Sequence, residues 1–258
     1  MAENTTTLPQ SVSRWQPGWL VGTLFRPRRT FTKIAEQPGA AWLTPMLILS
    51  VTALIYVFVR GFLQARAAAM GEIPLPPDWQ WWTPEMQNQY MQAQSATQGP
   101  VFVYVIPAVT GLAGLWVGWA LIGSLLHFAF TLFGGRGSAA SALNVAGWAW
   151  LPFGVRDLLR VIYMLIAQRT IASAGLSGFI TPGESGGLIF LGQLLALIDL
   201  FVIWHILLLV IGMRASDGLS TAKSIGGVLI VILLALIAQA GIGAGLSALS
   251  GLMISRPF

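Results

Sequence analysis

Apolar residues in this chain come in long runs, not in the alternation of a half-buried strand or the narrow stripe of a surface helix. Residues 41–60 (AWLTPMLILSVTALIYVFVR) are the first stretch near the roughly 20 residues that cross a hydrocarbon core. Residues 61–100 then turn polar, with Trp79, Trp81, Trp82 and Tyr90 crowded beside Pro74, Pro76, Pro77 and Pro84. Such rings favour the headgroup level, so this loop is expected to lie on the membrane surface. A second run, 101–133, exceeds one crossing and ends at Gly134-Gly135-Arg136-Gly137-Ser138; tilt or an interfacial end absorbs the excess. The third, 139–167, holds Pro152 and Gly154, then Arg156, Asp157 and Arg160 near its middle. It is expected to be one kinked crossing. The alternative is a span to Val155 followed by a surface helix, because Val155, Leu158, Leu159, Ile162 and Ile166 follow amphipathic spacing. Residues 188–211 are the most hydrophobic segment, apolar enough to insert despite Asp199, and 224–250 form the fifth run. The pattern predicts an all-α polytopic membrane protein. An N-terminal segment, 1–40, precedes a bundle of five transmembrane helices within 41–258.

Composition removes the soluble alternative. Of 258 residues 55% are hydrophobic and 9% charged, whereas a water-facing domain carries about a quarter charged. The net charge of +5 would point to nucleic acid in a soluble chain; here it reflects basic loops facing anionic lipid, and no nucleic-acid partner is expected. With 0 Cys there is no disulfide, no thiolate nucleophile and no Cys-based metal site. Trp19 to Phe25, the apolar stretch within the first 40 residues, is too short for a signal-peptide core. If the N-terminus is cytoplasmic, the inside carries eight basic residues: Arg14, Arg26, Arg28, Arg29, Lys33, Arg136, Arg214 and Lys223. The outside has four at most: Arg60, Arg66, Arg169 and Arg256. The bias predicts an N-terminus inside and a C-terminus outside.

Candidate chemistry is sparse. His127 and His205 lie in different spans with no metal-ligand spacing, so no metal, cofactor or catalytic residue is expected; the plain reading is a histidine hydrogen-bonded inside the bundle. Asp199 is the sharper case, since an acid inside a span is costly and is functional or paired. Gln193, Asp199 and His205 are each six residues apart, which on one helix rotates them by about 120° and rules out a single polar track. A partner must come from another span. Asp157 is spaced to pair with Arg160, which leaves Arg156 for Asp199. Gly114 and Gly118, and Gly241 and Gly245, fit G-x-x-x-G and are expected to pack closely within the subunit. Pro27 stands at a plausible helix start, with Arg28, Arg29 and Lys33 near Phe31 and Ile34, the composition of an interfacial helix anchored on anionic lipid.

Phe25-Arg26-Pro27, then Phe31, Ile34, Pro38, Trp42 and Pro45, resemble the opening of bacterial Yip-domain (Ypt-interacting protein) sequences, in which F-x-P, a later Phe and P-x-x-x-W precede the first span. The Gly134–Ser138 turn and Leu151-Pro152 are similar to that family's second block. The resemblance implies five spans with a cytoplasmic N-terminus. Eukaryotic members bind prenylated Rab GTPases in vesicle traffic, and their long N-terminal extension is missing here, which argues against that role. Some bacterial members stand beside ABC transporters of the macrolide-exporter kind, and the family has no agreed catalytic residues.

The expectation is therefore a non-enzymatic accessory or scaffolding protein of the bacterial cytoplasmic membrane, contacting lipid and another membrane protein, with an exporter or a trafficking and organising role in view. The alternative is a small-solute transporter or channel with a polar path between spans three and four. Topology is directly testable in a cysteine-free chain. Single Cys residues at Gly137 and Thr221 should resist impermeant thiol reagents in intact cells, while those at Gln94 and Ser185 should label; the reverse pattern inverts the assignment.

Overall fold

The computed structural model describes residues 15–37, 39–72, 75–76, 78–180 and 185–254, with side chains to Ser247. Arg14, Pro38, Pro74, Pro77 and Arg256, used in the sequence reading, lie outside the described residues. Two short helices, α1 (Trp19–Phe25) and α2 (Pro27–Ala35), lead into α3 (Leu43–Ala69). Then come α4 (Pro84–Thr97), α5 (Ile106–Leu132), α6 (Ala139–Ala149) and α7 (Leu151–Ala167). The chain continues through α8 (Gly186–Leu197), α9 (Leu200–Asp217) and α10 (Thr221–Ile254). Four stretches are long and apolar enough to cross a membrane: Leu43–Ala69, Val101–Leu132, Leu200–Asp217 and Thr221–Ser247. Their outer faces expose Val51, Phe58, Leu121, Phe128, Leu233 and Leu234, as a surface solvated by lipid must. The protein is a helical polytopic membrane protein.

Local chemistry sets the helix ends. Pro27, Pro107 and Pro152 stand in the first turns of α2, α5 and α7, where a missing N–H costs nothing. The turn Val101–Val105 before α5 is π-helical. Ser138 caps α6 by accepting from Ser141 N–H at 3.1 Å, and Gly218 ends α9 in the left-handed region at φ 66°.

The centre of the bundle is α6. Its sequence, AASALNVAGWA, is mostly small residues, and neighbours approach from several sides: α5, α9, α2 and α3 all contact it. Ala142, Val145, Ala146, Trp148 and Ala149 are buried. At Gly123 of α5 an added Cβ would come within 2.6 Å of Leu143 on α6, so that pair of backbones is held at glycine distance. α3 and α7 run side by side in the same direction. Gly154 lies against Leu49 and Thr52 at one level, and Arg66 donates to Gln168 at the other.

Segment 139–167, expected to be kinked, breaks at Trp150 into α6 and α7. Two expectations are corrected. Helix α2 does not lay Phe31 and Ile34 into lipid: both are fully buried against the bundle, and Gly212 of α9 makes room, since a Cβ there would meet Phe31 at 2.8 Å. Its hydrophobic stripe finds protein because α9 and α6 offer a complementary groove, while Arg28, Arg29 and Lys33 stay exposed. The glycines at 114, 241 and 245 do not pack within the subunit, for a Cβ at any of them meets nothing within 4 Å; only Gly118 is close, with Trp150 at 3.1 Å.

Polar contacts fix one end of the bundle. Asn144, fully buried in α6, accepts from Trp42 N–H at 3.1 Å and donates to Gly39 O at 2.9 Å. Trp148 Nε1 donates to Ala41 O at 3.0 Å. Together they clamp the chain entering α3 onto α6. At the same end Asp217 accepts from Gly137 N–H at 2.9 Å, and Lys223 Nζ donates to Phe133 O at 3.0 Å. Asn144→Leu keeps the side chain's branching and heavy-atom count but strands Trp42 N–H and Gly39 O. At about 1–3 kcal/mol for each stranded buried group, the melting temperature in detergent should fall by several degrees; an unchanged midpoint would show that the clamp carries no stability.

Candidate functional site at two helix breaks

A helix that breaks inside a packed apolar bundle leaves backbone groups with no water to satisfy them. At the first break Phe153 N–H bonds back to Trp150 O at 2.9 Å, so Ala149 O loses its helical donor. His205 of α9 supplies one, with Nδ1 at 2.8 Å from Ala149 O. A carbonyl only accepts, so Nδ1 carries the proton and Nε2 is left as an acceptor. The ring is nearly fully buried and packs on Phe153 at a centroid distance of 5.0 Å.

The second break interrupts 188–211, which the rotation argument took as one helix. α8 stops at Leu197, Ile198 and Asp199 are extended, and α9 starts at Leu200. Asp199 is its N-cap: Oδ1 accepts from Phe201 N–H at 2.9 Å and Val202 N–H at 3.0 Å. The rotation argument for Gln193, Asp199 and His205 therefore does not apply. Gln193 belongs to α8 and lies against Gly243 of α10, whereas His205 belongs to α9 and faces α6.

The other carboxylate oxygen of Asp199 lies 3.4 Å from Arg156 Nη1 and 3.7 Å from Arg160 Nη2. Asp157 Oδ1 is 3.6 Å from Arg156 Nε. The contact expected between Arg156 and Asp199 is present. The pair expected between Asp157 and Arg160 is not: Asp157 turns to its neighbour Arg156, and Arg160 reaches across to Asp199. Arg156 also stands over the Phe153 ring, 4.7 Å from its centroid. Two arginines and two aspartates sum to no net charge.

Cavities flank the cluster. One of about 300 Å³ is bordered by Trp150, Phe153, Arg156, Asp157, His205 and Gln239. The other, of about 750 Å³, is bordered by Tyr56, Arg60, Arg160 and Gln193 with the loop 171–180. Arg156 faces the first and Arg160 the second, so the ion pairs stand between them.

The remaining residues singled out by sequence are scattered. Arg28, Arg29 and Lys33 lie on the exposed face of α2, and Phe25 is exposed beside them. Of the Yip-like motif, Pro27 starts α2 and Phe31 fills the groove at Gly212. Trp42 packs on Trp119 and Trp116 at 4.5 and 5.9 Å, and Pro45 and Pro152 are buried in the first turns of α3 and α7. His127 is half-buried on α5, apart from His205, and among the described residues no cluster of three metal-ligating side chains occurs. Sequence reasoning missed Asn144, Trp150, Asp217 and Gln239. The available signal was a lone polar residue in an apolar run, which Asn144 and Gln239 share.

The fold defines an integral helical membrane protein, and within it Arg156, Asp157, Arg160 and Asp199 are paired with one another. The chain belongs to the Yip1 family: the model of the Yip1 domain matches residues 21–242. No curated protein and no solved structure matches it.

Variants of Asp199 separate its two tasks. Asn keeps an oxygen for the cap but removes the charge that faces Arg156 and Arg160, and Ala removes both. Stability in detergent should therefore fall in the order parent, Asp199→Asn, Asp199→Ala. Arg156→Gln alone should also destabilise. The double change Arg156→Gln with Asp199→Asn should recover much of the loss, because Arg160 and Asp157 remain as one cation and one anion. Absence of coupling energy in this cycle would remove the ion pair from the account.

Proposed function

We propose that the protein is a non-enzymatic accessory or scaffolding component for another membrane machine, of the exporter or trafficking kind, in the bacterial cytoplasmic membrane. In this reading the chain crosses five times: by α3, by α5, by α6 with α7, by α8 with α9, and by α10. The N-terminus is cytoplasmic and the C-terminus outside. The observation that carries the function is how the central charges are used. Arg156, Asp157, Arg160 and Asp199 are paired, Asp199 also caps a helix, and His205 also closes one. Groups committed to holding helix breaks are ill suited to releasing an ion or proton in each cycle. The accessible chemistry sits at the ends: the basic face of α2 at one, and at the other α4, whose residues are mostly exposed. Arg28, Arg29 and Lys33 supply about 1 kcal/mol each toward an anionic leaflet, which orients α2 for a partner. Membership in the Yip1 family supports a role in membrane organisation.

A second reading, a small-solute carrier, draws on the two cavities on either side of the ion cluster. One experiment separates them. Photo-crosslinkers placed at Lys33 and at Gln92 of α4 in the full chain should capture a membrane protein in native membranes, and purified protein in liposomes should pass no solute. Solute flux that Asp199→Asn abolishes in a folded protein would establish the carrier instead.

A further inference from the structure

Arg156 and Arg160 are balanced by Asp157 and Asp199, but Arg60 is not. Among the described residues it has neither an ion pair nor a hydrogen bond, although it lies within the apolar stretch Leu43–Ala69 of α3. An uncompensated cation in such a stretch either snorkels to the interface or takes up a counter-charge. Arg60 borders the cavity of about 750 Å³, with Tyr56 one turn earlier on the same face of α3 and Arg160 of α7 also in the wall. Three arginines against two aspartates leave this region one positive charge in excess.

The donors of the wall are open. Arg160 Nη2 stands 3.7 Å from Asp199, outside hydrogen-bond range, and the hydroxyls of Tyr56 and Ser173 have no hydrogen-bond partner among the described residues. The sealed and unpartnered side-chain atoms among the described residues belong to Gln37, Trp150, Arg156 and Asp217, so the Arg160 guanidinium and the Tyr56 hydroxyl keep accessible surface. The Tyr56 ring is fixed by packing on Leu63, Val161 and Met164. The far wall is different. α8 packs on α10 and on the turn Gly175–Phe179, which leaves the cavity as a gap between α8 and the α3–α7 pair. Ile171, Ile180, Leu188 and Ile189 line that side, and Leu188 is also 43% exposed, so the apolar strip runs out to the lipid-facing surface.

This arrangement selects its occupant. A cation would meet excess positive charge, and a neutral molecule would leave Arg60 unbalanced. A phosphate offers oxygens to more of these donors than a carboxylate does. The volume exceeds what a bare phosphate fills, and the apolar strip suits hydrocarbon. We propose that this cavity binds a phosphate ester of net negative charge, and that the ester is the headgroup of an anionic phospholipid. Its oxygens accept from Arg60, Arg160, Tyr56 and Ser173, and an acyl chain follows the strip past Leu188. The site does not depend on the role proposed above.

The test uses the full chain in maltoside micelles with Arg28→Gln, Arg29→Gln and Lys33→Gln, which silences the exposed basic face of α2. Dioleoylphosphatidylglycerol is the probe. Dioleoylphosphatidylcholine is the zwitterionic control with the same chains, and glycerol 3-phosphate is the soluble ester. Bound ligand is counted by native mass spectrometry beside the melting temperature. Phosphatidylglycerol should bind saturably, one per chain, and raise the melting temperature; both controls should bind at least about tenfold more weakly. Arg60→Gln breaks no contact among the described residues, so the melting temperature without lipid should stay unchanged. Its affinity for phosphatidylglycerol should fall about tenfold, the scale of one lost charge-assisted hydrogen bond. Tyr56→Phe keeps the ring and removes the hydroxyl, and should weaken binding by several fold. Equal binding of the two lipids, or unchanged affinity in both folded variants, means that Arg60 snorkels to the interface and overturns the proposal. Glycerol 3-phosphate bound as tightly as phosphatidylglycerol would overturn the assignment to lipid.

Discussion

A backbone interrupted inside a packed apolar bundle must have its freed groups satisfied by the protein itself, and this constraint organises the structure. Among the described residues the helices are interrupted at Trp150 and at Ile198–Asp199, and each break is closed by a polar side chain of or beside α9. His205 takes the carbonyl released at the end of α6, and Asp199 takes the N–H groups released at the start of α9. Because His205 reaches α6 and Asp199 also reaches the arginines of α7, the two breaks are tied to each other.

Around these breaks the packing follows from small residues. α6 is mostly alanine, serine and glycine where its neighbours press on it, and Gly123 and Gly212 let α5 and α2 come close to α6 and α9. Several of the residues that carry the family resemblance belong to this packing. Phe31 locks α2 onto α9, Trp42 wedges between tryptophans of α5, and Pro152 begins the helix after the break. The turn at Gly134–Ser138 is glycine-rich because Asp217 approaches its backbone: a Cβ at Gly137 would fall 2.5 Å from that carboxylate. A short, degenerate motif is what such a role produces, since it fixes shape and leaves most chemistry free.

The charged cluster is better understood as part of this framework than as an exposed active centre. Its arginines and aspartates balance, and its side chains are only 14–24% exposed. The loop between α3 and α5 is organised on its own account. Trp79, Trp82 and Tyr90 pack on one another at 5.5–5.7 Å, and Trp82 Nε1 donates to Asp78, so three of the four rings expected at the membrane surface form a small core beneath α4. Trp81 alone of the four is fully outward, at 80% exposure.

The sequence by itself determined the class of protein and most of its segments. Runs such as 41–60 and 224–250 are apolar on every side, and only lipid and other helices can solvate such surfaces. It also pointed to Arg156 and Asp199, because a charge inside such a run needs a partner. What it could not reveal is where helices break. Hydropathy sums side-chain transfer energies and is blind to backbone hydrogen bonds, so 188–211 reads as a continuous span although Asp199 ends one helix and begins another. The choice between lipid and protein for Phe31 and Ile34 was equally hidden, since both environments are apolar and only the groove between α6 and α9 distinguishes them. The pairing of Asp157 with Arg156 instead of Arg160 was decided by Asp199 arriving from 42 residues along the chain, on an element whose position exists only once the tertiary structure has formed.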